Sequence, residues 1–187
     1  QIREVGFHNL FVRKALDKGS VIELSDSRVR GKLQYSHAVQ RLRMQRTSFV
    51  NSREGTNYVE SNAGYYGLLD VLGDVYERHR AAYFVRNGRD WVRSKMNWGQ
   101  MYNKSKIRSM FAHTWPTALE MMDDLYAEQW PTMSRFERIC WAWSKLNRYA
   151  LDTVQETSNV RIFRFEDVFE STDKYRYLAD LVEFTTN

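Results

Sequence analysis

Five consecutive apolar residues, Ala81-Ala82-Tyr83-Phe84-Val85, run straight into the polar segment Arg86-Asn87-Gly88-Arg89-Asp90. A run of this kind lacks the alternation of a half-solvated strand, so it reads as a strand buried on both faces, as in a parallel sheet covered by helices. Asn87-Gly88 marks a turn at its end. Asp90 is placed to cap a following helix that carries Trp91, Ser94, Lys95 and Trp98.

The flanking sequence repeats this alternation. A helix is expected over His8 to Asp17, stopped by Gly19, and a short strand over Val21 to Leu24, ended by Ser25-Asp26-Ser27. Ser36 to Thr47 suits a basic helix. Asn57 to Ser61 reads as a strand, and Gly64 to His79 as a helix with Tyr65, Leu68, Leu69, Leu72, Val75 and Tyr76 at helical spacing. Thr117 to Gln129 is a further expected helix. Ser134 opens the longest one, with Phe136, Ile139, Cys140, Trp143, Leu146, Ala150, Leu151 and Val154 as its apolar stripe and Asn159 as its end. Val160 to Phe165 is a strand that runs into Glu166-Asp167, and Asp173 to Val182 a last helix. The pattern predicts an α/β protein: one domain over residues 1–187, in three layers, with a mostly parallel sheet flanked by helices. Ligands of such sheets bind beyond the carboxyl ends of strands. Three polar clusters fall there: Glu60-Ser61-Asn62, Arg86 to Asp90, and Glu166-Asp167.

Composition narrows the function classes. The chain has 187 residues, 43% of them hydrophobic and 14% aromatic, which argues against a disordered chain. No stretch approaches the roughly 20 apolar residues of a membrane span. The first residues do not resemble a signal or transit peptide, so a cytoplasmic location is favoured, and without an initiator methionine an excerpt of a longer protein is expected. A single cysteine, Cys140, excludes an internal disulfide framework and a cysteine-rich zinc site. Histidine spacing suggests no metal site.

The basic excess is local: seven basic residues and no acidic one from Arg28 to Arg53, and nine against Asp90 from Arg78 to Arg108. Such stretches suit an anionic partner or form a solvated face. The first lacks interleaved aromatics and matches no nucleic-acid module, so nucleic acid is not the expected partner.

The strand end at Arg86 carries the most chemistry. It delivers a planar set of guanidinium donors, and Ser94 adds a neutral hydroxyl on the next helix, whose amides and dipole also favour an anion. A phosphate is the natural guest. The structural alternative is an arginine paired with a carboxylate and a serine bonded to its own helix backbone.

The stretch Tyr83 to Ser94 resembles the 3′-phosphate-binding motif of sulfotransferases that use 3′-phosphoadenosine 5′-phosphosulfate (PAPS): an apolar strand, Arg, a two-residue turn, Arg-Asp and a closing Ser. Asn87-Gly88 stands where that family commonly has Asp-Pro. Tyr58 to Asn62 with the segment after it is similar to the strand and helix that precede the motif in bacterial and carbohydrate sulfotransferases. Trp143 to Asn147 followed by Val160 to Asp167 resembles the family's long helix and its R-Y/F-E-D strand end. The likeness covers residues 57 to 185. It implies a P-loop NTPase-like sulfotransferase fold, PAPS as sulfuryl donor without a metal, and a small-molecule or carbohydrate acceptor. It assigns the nucleotide phosphate to Arg86 and Ser94.

In-line transfer to a hydroxyl or amine also calls for a general base. Glu60 at its strand end is the first candidate, with pairing to an arginine as its alternative role, and His37 is the second. The sequence departs from the family at two points: neither its phosphosulfate-binding loop (T-x-R-T/S-G-S/T-T) nor its basic, glycine-containing C-terminal segment occurs here. A non-catalytic nucleotide- or anion-binding domain that keeps the fold is therefore the alternative expectation.

Overall fold

The computed structural model describes residues 21–51, 59–99, 101–103, 115–121, 125–154 and 157–186. The expected helix at His8 to Asp17 lies outside them. The chain divides into two compact units, Gln1–His79 and Arg80–Asn187.

The first unit is helical. Helix α1 spans Val21–Val29 and α2 spans Tyr35–Asn51. A 3-10 turn, Ala63–Gly67, and the single-turn helix α3, Leu72–Val75, follow. Leu24, Leu42, Leu68 and Val71 are fully buried among them. The expected basic helix from Ser36 is therefore present.

Three other expectations are corrected. Val21 to Leu24 is helix rather than strand, because Val21, Leu24, Ser25 and Val29 recur at helical spacing and all are buried. The polar Ser25 and Asp26 do not end the element. The Ser25 hydroxyl donates to the Gly64 carbonyl, and the Tyr66 hydroxyl donates to Asp26 Oδ1. Gly64 to His79 is not one helix. Asn62 Oδ1 accepts the Gly64 N–H at 2.8 Å and starts a 3-10 turn, which ends where Leu68 leaves helical angles (φ −132°, ψ 11°). The Arg28–Asp70 ion pair holds the intervening turn. Val59 to Asn62 forms no strand, and Asn57 and Tyr58 lie outside the described residues.

The second unit holds the sheet. Strand β1, Ala81–Val85, pairs in parallel with β2, Val160–Arg164, in the register Ala81↔Val160 to Val85↔Arg164. Among the described residues the sheet has these two strands. Mixed α/β character and a parallel pair are thus observed. The full burial expected of β1 is not: its residues are half-buried and Phe84 is 37% exposed.

Helix α4, Gly88–Trp98, leaves the end of β1, and α5, Arg135–Val154, packs against it. Helix α6, Phe165–Phe169, follows β2 directly, and α7, Lys174–Thr186, matches the expected last helix. The cap of α4 is Asn87, whose Oδ1 accepts the Arg89 N–H at 2.9 Å. Asp90 already lies in the first turn and instead pairs with Arg93 at 2.8 Å.

The buried face of α5 is Ile139, Trp141, Ala142, Leu146, Ala150 and Val154, so the stripe is rotated from the expected one and leaves Phe136 54% exposed. Trp141 is buried and meets Trp130 edge-on at 4.9 Å between centroids. The described part of α5 runs to Val154, and residues 158–159 form a turn, so the helix stops short of Asn159. The Asn159 carbonyl accepts the Ala81 N–H at 3.0 Å and so extends the strand pairing. Thr117 to Gln129 is a 3-10 turn, Ala118–Glu120, closed by a reciprocal Thr117–Glu120 cap, with turns over residues 125–130; residues 122–124 lie outside the described set.

Ser134 does open α5. Its N–H donates to Glu137 Oε2 at 2.6 Å, and its hydroxyl accepts the Glu137 N–H at 3.3 Å, a capping box. The Ser134 backbone and side chain hold the Glu137 carboxyl below its ordinary value of 4.5. Its stabilising contribution is therefore complete above pH 4.5 and is lost as pH falls through the depressed folded-state value. Acid titration of helicity should show Glu137→Gln already lacking this step, with the two proteins converging at low pH. An unchanged acid limb in the variant would contradict the cap.

Candidate functional site

The site in the second unit is built on the turn between β1 and α4. Pairing with β2 aims β1 so that Arg86 emerges at its carboxyl end. Three contacts fix the turn. Trp143 Nε1–H donates to the Arg86 carbonyl at 3.0 Å, Glu166 Oε1 accepts the Asn87 N–H at 2.7 Å, and Asn87 caps α4. Gly88 closes the arrangement, because a Cβ there would stand 3.2 Å from the Trp143 ring. Glu166 therefore accepts a backbone donor, one of the roles its position at a strand end allows. Sequence reasoning did not foresee that Trp143, placed in the core by its stripe, uses its indole N–H to hold the strand end.

The Arg86 guanidinium lies 5.1 Å above the Phe165 ring, and its Nε is buried without a hydrogen-bond partner among the described residues. It makes no ion pair there. Ser94 is exposed on α4 and its hydroxyl bonds no described group. In contrast, Thr153 and Thr185 return their hydroxyls to helix carbonyls. Both halves of the structural alternative, a carboxylate partner for Arg86 and a backbone partner for Ser94, are thus missing among the described residues. With 3.6 residues per turn, Asn87, Trp91 and Ser94 follow one side of α4, so Ser94 stands roughly 10 Å up the helix from its cap. The expected help from helix amides is reduced, since Glu166 and the Asn87 side chain already take the donors of Asn87 and Arg89.

Beside the turn, α4 and α5 enclose an apolar groove of about 500 Å³ lined by Gly88, Val92, Met96, Phe136, Cys140 and Trp143, with Arg89 and Arg93 at its edge. Burial pushes the Cys140 thiol up, so it is a neutral lining group, as its apolar surroundings in the sequence suggest.

Glu60 and His37 belong to the first unit. Glu60 sits in a collar of donors: Arg46 Nη2 at 2.7 Å and Asn62 Nδ2 at 2.9 Å on Oε1, and the Tyr65 hydroxyl at 3.3 Å on Oε2. Burial raises the Tyr65 phenol far above its ordinary 10.0, so it remains a neutral donor. The arginine-paired role of Glu60 is therefore present, and it ties α2 to the turn before Ala63. His37 is exposed on α2. No group of three metal-ligating side chains occurs among the described residues, and no helix among them is long and apolar enough to cross a membrane. Compared with known protein-family models, curated proteins and solved structures, the chain matches none.

Proposed function

We propose that the second unit is part of a PAPS-dependent sulfotransferase domain of P-loop NTPase-like, three-layer architecture, and that Arg86 and Ser94 hold the nucleotide's 3′-phosphate. The observation that carries this reading is Arg86 itself: a guanidinium at the carboxyl end of a parallel strand, with Nε buried and no carboxylate among the described residues. An unpaired buried donor is costly, and a phosphate oxygen removes that cost while accepting a charge-assisted hydrogen bond. Ser94 supplies a second, neutral donor from the same side of α4 as the cap. The order of the three segments that resemble the family supports the same choice.

PAPS, when bound, supplies the activated sulfuryl group. The chain's own contribution is to bind and orient the phosphate through Arg86, whose carbonyl accepts from Trp143 and whose following amide, of Asn87, donates to Glu166. The acceptor is a small molecule or a carbohydrate bearing a hydroxyl or amine. Residues 1–187 carry no phosphosulfate-loop sequence of their own, which motivates a second reading, a domain that binds the nucleotide without transfer. Sulfate transfer from labelled PAPS to a panel of hydroxyl acceptors separates the two.

Calorimetric titration with adenosine 3′,5′-bisphosphate and with adenosine 5′-monophosphate tests the shared part. The chain should prefer the bisphosphate. Arg86→Ala should cut that affinity roughly 10- to 100-fold, the worth of one charged hydrogen bond at 1.4 kcal/mol per tenfold, and leave the monophosphate unaffected. Equal affinity of the two proteins for the bisphosphate removes Arg86 from the site.

A further inference from the structure

Lys95 occupies a setting that the nucleotide reading does not use. Its Nζ lies 5.3 Å from the centroid of Trp91, 4.8 Å from Trp98 and 5.7 Å from Trp115, all within cation–π range. Trp91 and Trp98 flank it at i−4 and i+3 on one face of α4, and Trp115 arrives from a separate segment. Among the described residues Lys95 has neither a carboxylate nor a hydrogen-bond acceptor. Burial holds the ammonium below its ordinary value of 10.5. Indole faces attract a cation but accept no strong hydrogen bond, so the three N–H donors of the ammonium remain unmatched by protein groups there.

We propose that Lys95 and these three indoles form an anion site for a small ligand that carries a carboxylate or sulfonate on a flat apolar body. The anionic group accepts from Nζ, which offsets the desolvation of the ammonium. The flat body lies against Trp98, which is 49% exposed. The helix turn that carries Lys95 is held in place: Arg135 Nη2 donates to the Lys95 carbonyl at 2.9 Å and Nη1 to the Met96 carbonyl at 3.1 Å. The site therefore has a fixed backbone, a cation without a counterion among the described residues, and an accessible aromatic surface. It does not depend on the nucleotide assignment, because Arg86 and Ser94 take no part in it.

The test uses tryptophan fluorescence with 4-nitrobenzoate as the anionic probe and 4-nitrobenzamide as its neutral counterpart. Nitrobenzoate should quench saturably, and the amide should bind at least about tenfold more weakly, one charge-assisted hydrogen bond at 1.4 kcal/mol per tenfold. Lys95→Met, which keeps an unbranched apolar stem against the indoles, should weaken nitrobenzoate by about the same factor and leave the amide unchanged. Lys95→Arg should retain the preference for the anion. Equal binding of the two probes by the unmodified chain, or purely collisional quenching by both, overturns the proposal without recourse to any variant. So does a Lys95→Met protein, folded by circular dichroism, that still prefers the anion.

Discussion

Gly67→Ala is expected to destabilise the first unit by about 3 kcal/mol, at the upper end of the cost of overpacking a tight contact. A Cβ on Gly67 would meet the Ser25 carbonyl oxygen at 2.5 Å, Ser25 Cα at 2.8 Å and Ser25 C at 3.0 Å. All three are backbone atoms of α1, so no side-chain rotation relieves the clash. Displacing α1 instead would pull on the Ser25–Gly64 and Tyr66–Asp26 hydrogen bonds that flank the contact. Leaving either buried polar group unmatched costs a further 1–3 kcal/mol or so. The sign is diagnostic, because Gly67 has no left-handed backbone and an alanine in open space there would stabilise by up to about 1 kcal/mol. Urea unfolding followed by hydrogen exchange reads the result. Amides of α1 and α2 should lose protection, while those of β1 and β2 serve as the internal reference. A midpoint equal to or above that of the unmodified chain would refute the close approach.

The same contact shows why part of the fold was hidden in the sequence. Val21-Ile22 favours a strand by side-chain shape, and Ser25-Asp26-Ser27 looks like its polar end. What decides the element is burial of Ser25 and Asp26 against partners 39 and 40 positions away, which no local pattern announces. The segment after Gly64 fails for the opposite reason. Its helical spacing is genuine and buries Leu68, Leu69 and Leu72, but a 3-10 turn and an Arg28–Asp70 pair satisfy that spacing without a continuous helix. Elements with strong local signals were legible: the apolar run of β1, the Val160 strand, and α5 with its Ser134 start. At the site, Arg86 and Ser94 were legible as types at a spacing. Trp143 was visible only as an apolar position, since a stripe specifies which face a side chain takes and not where its N–H is aimed. Arg135 gave no signal at all.

Arg135→Met tests the most connected of these unannounced residues, and its expected cost is likewise about 3 kcal/mol, one to two charged hydrogen bonds after water recovers part of the loss. The side chain of Arg135 donates three times: Nε to the Met101 carbonyl at 2.8 Å, Nη1 to Met96 at 3.1 Å and Nη2 to Lys95 at 2.9 Å. The last carbonyls of a helix have no partner within it, and α4 ends at Gly99 in the left-handed region with φ 72°. A single guanidinium from α5 thus closes the end of α4 and fixes the loop beyond it, where Met101 is fully buried. Its charge also opposes the negative end of the helix dipole. Methionine keeps the stem packing and removes every donor. Lysine restores the charge but offers compact donors in place of a planar fork, so Arg135→Lys should recover less than half of the loss. Hydrogen exchange should show fraying concentrated in the last turn of α4, with the Asn87 end protected by its own cap. If lysine serves as well as arginine, the end of α4 needs only a nearby positive charge, and the turn that carries Lys95 is not held by the fork.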